Sequence, residues 1–315
     1  MSSLLGRRTR YTNLDQVSTI RSFAEMRQWR GERRRKKKDL SFVVPFDPQP
    51  DIDFLQNNRA TLSITWIGHA SFLIQIGGYN MLIDPIWATK GPFMRRLSPP
   101  GLTPEQLPPI DAVLISHAHY DHLQFSSLKQ IHGDPLYLVP AGLSELMRRK
   151  GFFNVEELNW WECKSFTHGL NIHFVPSQHW TRRTPWDTNT SHWGGWVLEF
   201  SGETVYFAGD SGYFRGFREI GERFNIDYAL MPIGAYEPEW FMGPQHVTPE
   251  EAVQAFQDVK ARVFIPMHYG AFRLADDTPK EALDRLSAAW DKAALPDKVL
   301  RILKLGEVYK DQLRS

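Results

Sequence analysis

Only one cysteine, Cys163, occurs in the 315 residues. That scarcity excludes an internal disulfide and any Cys-rich zinc finger, and it fits a reducing compartment. No apolar run approaches the ~18 residues that a membrane span requires. The first residues are basic and lack the apolar stretch of a secretory leader. The chain is therefore expected to be cytoplasmic, or peripheral to the inner face of a membrane. There is no internal repeat and no low-complexity tract beyond one basic run. At 42% apolar and 13% aromatic residues, the composition is neither collagen-like nor disordered, and it suffices for one large domain or two small ones.

Charge is present but uneven. Residues 1–40 hold 12 Lys/Arg against 4 Asp/Glu, a net of +8, which leaves −7 for the other 275. Most of the positive charge is the run from Arg30 to Lys38. Before it, Val17, Ile20, Phe23, Met26 and Trp29 recur at nearly helical spacing. Two readings follow: a basic amphipathic helix lying on an anionic membrane surface, or a solvated arm that packs its apolar stripe on its own domain.

Residues 1–55 read as this basic extension followed by an extended, Pro-containing connector, and residues 56–315 as the globular domain. Strands are predicted at Leu62–Ile67, Ser71–Ile76, Met81–Ile83, Ala112–Ile115, Leu136–Val139, Ile172–Val175, Trp196–Phe200, Thr204–Phe207, Tyr228–Met231 and Val263–Ile265. Helices are predicted at Ala141–Lys150, Pro249–Val259 and Pro279–Ala293. Thr248 is a suitable N-cap for the second, with proline at its first position and acids in its first turn. Strands mixed with helices throughout indicate an α/β layered domain.

The chemistry lies just past the strands. Ala112–Ile115 runs into Ser116-His117-Ala118-His119-Tyr120-Asp121-His122. In extended chain, residues two apart share a face, so His117 and His119 point the same way, and a turn would return Asp121 and His122 beside them. Three other strands lead to His179, Asp210 and His268, at the C-terminal ends where open α/β sheets place ligands. Imidazole and carboxylate are zinc-type donors, and a site without several cysteines is of the catalytic kind. Seven ligands exceed one tetrahedral ion, whereas two ions ~3.5–4 Å apart with a shared carboxylate would use them all.

The His-x-His-x-Asp-His run, with His179, Asp210 and His268 following in order, resembles the metallo-β-lactamase superfamily. The resemblance implies a four-layer αββα sandwich with two Zn²⁺ at the edge of its sheets. It implies that His117, His119 and His179 hold one ion and Asp121, His122 and His268 the other. Asp210 would bridge them, with a hydroxide between the ions. Asp84 matches an upstream aspartate that supports the ligand loop. Iron or manganese can occupy similar sites.

Residues 66–71 (Trp-Ile-Gly-His-Ala-Ser), Gln178-His179-Trp180, residues 207–212 and above all residues 234–252 are similar to the phospholipase D family that hydrolyses N-acyl phosphatidylethanolamine and its bacterial relatives. The likeness covers roughly residues 60–275. It implies a phosphodiesterase acting on a phospholipid by attack of metal-bound hydroxide on phosphorus. The alternative is a lactonase or ester hydrolase related to ascorbate-phosphate lactonase. Within this reading, Asp121 and His246 are catalytic candidates, with His246 assisting the leaving group. Tyr120, Gln245, His246 and Arg182 are candidates for contacting phosphate, Arg182 in bidentate fashion.

His69 is read as a packing or supporting residue, and His132, His168, His173 and His192 have no ligand context. The tryptophans at 160, 161, 180, 186, 193, 196 and 240 could line a lipid groove or belong to core and rim. Nucleic acid is not an expected partner. Nucleases of this superfamily often carry an inserted domain between the bridging Asp and the last His, and here only 58 positions separate Asp210 from His268. The expected partners are a phospholipid or phosphodiester substrate and a membrane surface reached through the arm. A homo-oligomer is compatible with this reading.

Overall fold

A computed structural model describes residues 9–91 and 94–310. Alternation along the strands builds it. In the strand Ser71–Ile76, Phe72, Ile74 and Ile76 face one core while Leu73 faces another. Ile64 and Trp66 part from Ile67 in the same way, as do Met81 and Ile83 from Leu82, and Ala112 and Leu114 from Val113. A period of two over strands buried on both faces requires a layer on each side of the sheet.

The seven-stranded sheet runs, in spatial order, Val308–Lys310, Ser63–Gly68, Ser71–Ile76, Tyr79–Ile83, Ala112–Leu114, Leu136–Pro140 and Val155–Leu158. Its first four strands pair antiparallel and the rest parallel. The six-stranded sheet runs Val263–Met267, Tyr228–Pro232, Glu203–Phe207, Gly195–Phe200, Asn171–Val175 and Cys163–Ser165, again part parallel and part antiparallel. Phe72 meets Phe207 edge to face at 6.3 Å where the two sheets pack. Helices Ile52–Asn57, Phe125–Leu128 and Ser144–Arg149 cover the first sheet through Leu55, Leu128 and Met147. Helices Gly216–Arg223, Pro249–Asp258 and Pro279–Lys292 cover the second through Phe217, Phe256 and Trp290. The result is the αββα sandwich.

Several local expectations change. Residues 52–57, read as extended connector, are helical, with the Asp51 side chain capping Phe54 N. The helix expected from Ala141 starts at Ser144, because Gly142 takes a positive φ of 84°. Val155–Leu158, Cys163–Ser165 and Val308–Lys310 are strands the pattern did not indicate. All three are sheet edges, where one side meets water and charged side chains replace alternation.

The arm lies against the domain. Residues 23–35 form a helix closed by a capping box between Ser22 and Glu25. Val17 and Ile20 precede it and are exposed, so the stripe read from the sequence is broken. Only Met26 and Trp29 pack, against a small cluster containing Phe241 and Met242. Four cations of the arm turn inward. Arg21 donates to Phe241 O, Arg33 and Lys36 pair with Asp276, and Lys36 and Lys38 pair with Glu237. Further on, Phe46 bridges to Leu305 and Asp47 N donates to Leu305 O at 2.8 Å. Among the described residues, no helix is long and apolar enough to cross a membrane.

Candidate metal centre

Just after the strand Ala112–Leu114 the chain turns, and His122 N and Leu123 N both donate to His119 O, at 3.2 and 2.8 Å. This folds Asp121 and His122 back beside His117 and His119. Arg183 locks the turn, its Nη1 donating to Ala118 O at 2.7 Å and Leu123 O at 2.8 Å. Asp210 follows Gly209, whose φ is 64° and whose added Cβ would stand 2.5 Å from Gly194 O, so that this bend requires glycine. His268 and His69 both sit in the left-handed region, at φ 61° and 57°, and His268 N donates to His69 O at 3.0 Å. Two histidines held there by surrounding structure are strained positions of the kind that cluster at functional sites.

The structure brings all seven candidate ligands to one buried point. His119 Nδ1 is 2.9 Å from His117 Nε2 and 3.1 Å from His179 Nε2. On the other side His122 Nε2 is 3.4 Å from Asp121 Oδ2, and His268 Nε2 is 3.5 Å from the same oxygen. Asp210 stands between the groups, Oδ2 being 3.3 Å from His122 Nε2 and 3.8 Å from His179 Nε2, with Oδ1 3.0 Å from His268 Nε2. Donors on a tetrahedral zinc at ~2.0–2.1 Å lie about 3.3 Å apart, so these separations suit shared cations.

Two features of the donors favour a cation. His122 Nε2, His268 Nε2 and Asp210 Oδ1 are buried without a properly aligned hydrogen bond, including the close His268–Asp210 pair. Buried polar atoms are otherwise nearly always satisfied. The outer contacts also free the inward lone pairs. Asp84 accepts from Ser116 N at 2.8 Å, Ser116 Oγ at 2.5 Å and His122 Nδ1 at 2.7 Å, which commits Nδ1 outward and aims His122 Nε2 at the centre, where a cation would displace its proton. Ser116 Oγ, having donated to Asp84, accepts from His117 Nδ1 at 3.0 Å. His179 Nδ1 donates to Gln245 O at 3.0 Å, fixing that tautomer too.

The charges agree. Burial alone would lower His122 and His268, but Asp210 and Asp121 reverse this, holding His122 well above its usual value and His268 at about 9. Burial would raise Asp121 and Asp210, yet His122 and its neighbours hold both carboxyls well below the usual range. A pocket that draws protons onto imidazoles to balance its carboxylates is one that a divalent cation would satisfy.

The remaining candidates are placed differently. His246 is buried, its Nδ1 3.9 Å from Asp210 Oδ2 and without a hydrogen bond, and burial pushes it down to about 4. Gln245 is buried, with Nε2 on Met242 Sδ at 3.5 Å and Oε1 unpartnered among the described residues. The Tyr120 hydroxyl donates to Arg183 O at 3.1 Å, and the Arg183 guanidinium lies 4.0 Å over its ring. Arg182 is exposed, stacked on Trp180 at 5.3 Å. Trp193 and Trp196 are fully buried and belong to the core rather than to any groove, whereas Trp186 and Trp240 are exposed.

His69, expected to pack or support, does support a candidate ligand: its Nε2 lies 2.9 Å from Asp121 Oδ2, close enough to His122 and His268 to complete a potential ligand set. Its signal was a bulky residue in the tight turn between two strands, where glycine or asparagine is usual.

A profile of the beta-lactamase superfamily domain matches residues 79–269. The N-acyl-phosphatidylethanolamine-hydrolyzing phospholipase D 1 of Caenorhabditis elegans is 33% identical over 302 residues, 87% of this chain and 82% of that protein. A metal-dependent hydrolase of Pyrobaculum arsenaticum is 32% identical over 259 residues, 79% of this chain and all of its own. The solved structure of a metallo hydrolase from Ignicoccus hospitalis superposes with a TM-score of 0.62 at 24% identity, covering 81% of this chain and 100% of that one.

Proposed function

Because this chain belongs to the beta-lactamase superfamily, we propose that it is a metal-dependent hydrolase of phospholipase D type. In this reading it uses two divalent cations, zinc first among them, to cleave N-acyl phosphatidylethanolamine or a similar glycerophospholipid. The observation that carries the reading is the meeting of two buried donor sets at Asp210. The likeness to the worm phospholipase D over most of both chains supports the substrate class.

His117, His119 and His179 would hold one cation, Asp121, His122 and His268 the other, and Asp210 would lie between them. The bound cations would lower the pKa of a water toward ~7 and neutralise charge on the phosphate oxygens. Asp121, kept ionised, would serve the second cation through Oδ2, the oxygen that faces His122 and His268. Oxygen would add to phosphorus as the bond from phosphorus to the ethanolamine oxygen breaks, and the proton given up by the attacking water would end on the departing alcohol. His246 is uncharged at neutral pH and offers its N–H to a phosphate or leaving-group oxygen. Gln245 leaves Oε1 unpartnered, an acceptor that would suit an N–H of the substrate rather than a phosphate oxygen.

The arm supplies the surface. Phe23, 83% exposed, stands one turn before Arg27, with Arg30 and Arg34 following on the outer side of the helix. No acid pairs with these three arginines among the described residues. Arg182 shares their groove and lies three positions past His179. Cations with an exposed aromatic suit an anionic lipid surface.

Purified, metal-assayed protein tests the reading against N-acyl phosphatidylethanolamine vesicles, a soluble phosphodiester, a lactone and a β-lactam. Release of N-acylethanolamine, with ¹⁸O from water entering the phosphatidate, is the expected result. Turnover of the lactone alone would replace it with the ester-hydrolase reading.

A further inference from the structure

The structure assigns a positioning role in the metal centre to Asn13, a residue of the N-terminal arm outside the stretch matched by the superfamily profile. Asn13 is 6% exposed and grips the backbone of His179 from both sides. Its Oδ1 accepts from His179 N at 3.0 Å and its Nδ2 donates to His179 O at 3.0 Å, across 166 positions of sequence. The same Oδ1 accepts from Trp193 Nε1 at 3.0 Å, and Nδ2 also donates to Val17 O at 2.9 Å, so its amide is fully engaged and cannot turn. Thr19 Oγ1 adds a second donor to His179 O at 3.2 Å.

This arrangement has a specific consequence for one ligand. His179 follows the strand Asn171–Val175 by four residues and belongs to no helix or strand. The strand's hydrogen bonds no longer hold it, and its neighbour Gln178 is tied through Ser211 Oγ, at 2.9 Å, rather than through the sheet. Gln245 O fixes the ring by accepting from Nδ1, but the position of Cα rests on the arm. A paired amide matching a peptide N–H and C=O does here what a neighbouring strand does elsewhere. The arm is otherwise anchored independently, by Tyr11 N on Asn189 O at 2.9 Å and by stacking of Tyr11 on His192 at 4.4 Å.

Loss of an outer contact to a ligand typically weakens metal affinity ~10–100-fold. Asn13→Ala should therefore weaken one of the two cations by about that factor and leave the other within about twofold. The inference rests on the metal-centre reading above, and His179→Ala serves as its control. Full-length protein loaded with Zn²⁺ is titrated with a competing chelator, with the two release steps read separately. Co²⁺-substituted protein gives a spectroscopic check on the His179 site. Asn13→Asp keeps the acceptor for His179 N but sets its other oxygen against the carbonyls of Val17 and His179, and should weaken the same release step at least as much as Ala. If Asn13→Ala unfolds, Thr19→Val removes one bond to the same carbonyl and should still weaken the same release step.

Unchanged affinities in Asn13→Ala with a clear loss in His179→Ala would overturn the role of Asn13. So would equal weakening of both sites together with a lower melting temperature, since that describes general destabilisation. Unchanged affinity in His179→Ala would instead overturn the metal assignment itself.

Discussion

Asp84 and His122, 38 positions apart, are joined by a 2.7 Å hydrogen bond with neither side chain open to solvent. The same carboxylate fixes the Ser116 backbone and hydroxyl, and through that hydroxyl His117. One aspartate thus sets two ligands. Asp84→Asn replaces an acceptor oxygen with a donor facing other donors, and is expected to lower metal affinity ~10–100-fold. Chelator titration checks this, and native affinity in the variant would refute it.

Ligand removal should cost more than loss of an outer contact. Alanine at His117, His119 or Asp210 is expected to reduce bound metal per chain and to abolish turnover, with no recovery in excess Zn²⁺. Metal analysis alongside activity measures both. A fully active alanine variant would remove that residue from the centre.

His246 separates two chemical roles. Its ring is held near pKa 4 by burial, so it is neutral throughout the range from pH 5 to 8. His246→Gln, which keeps an N–H donor, should retain more kcat than His246→Ala, with the shape of the pH profile unchanged. If His246→Gln instead loses ~10²-fold or more together with a basic limb of the profile, the residue is a proton donor.

His192 bears on stability rather than catalysis. Burial pushes it down to about 3, against 6.5 when unfolded. Between those values the unfolded chain binds the extra proton, so stability rises with pH across the window and is lost as pH falls below 6.5. From pH 7 to 5 the loss from this group is about 2 kcal/mol. His192→Phe, which keeps a ring for Tyr11 and Trp160 to stack on, should flatten the fall in Tm over that interval. An equal fall in both proteins would refute it.

Reversing the outward charge tests the surface without touching the centre. With Arg27, Arg30 and Arg34 all changed to glutamate, binding to anionic vesicles should drop by on the order of 100-fold, with metal content unchanged. Native binding should weaken as salt rises. Deleting the arm is a poorer test, because it also removes Asn13.

The parts legible in the sequence were those governed by local pattern. Short apolar runs between turn signals marked ten strands, nine of them interior and one, Val263–Met267, at a sheet edge, and three histidines and an aspartate within six residues marked the ligand loop. What was not legible depends on chain arriving from elsewhere. Edge strands such as Val155–Leu158 carry charge and do not alternate. His69 meets Asp121 only because the turn between Ser63–Gly68 and Ser71–Ile76 carries it there, 52 positions away in sequence. Asn13 has no motif at all, since a polar residue in an arm acquires meaning only from the backbone it meets.

Four ligands hang from the seven-stranded sheet and three from the six-stranded one. Neither half of the chain can therefore assemble the centre by itself, and any cations bound there also clasp the two halves along their seam. Removing such cations would therefore be expected to loosen the sandwich first along that edge, where ligands from the two sheets meet.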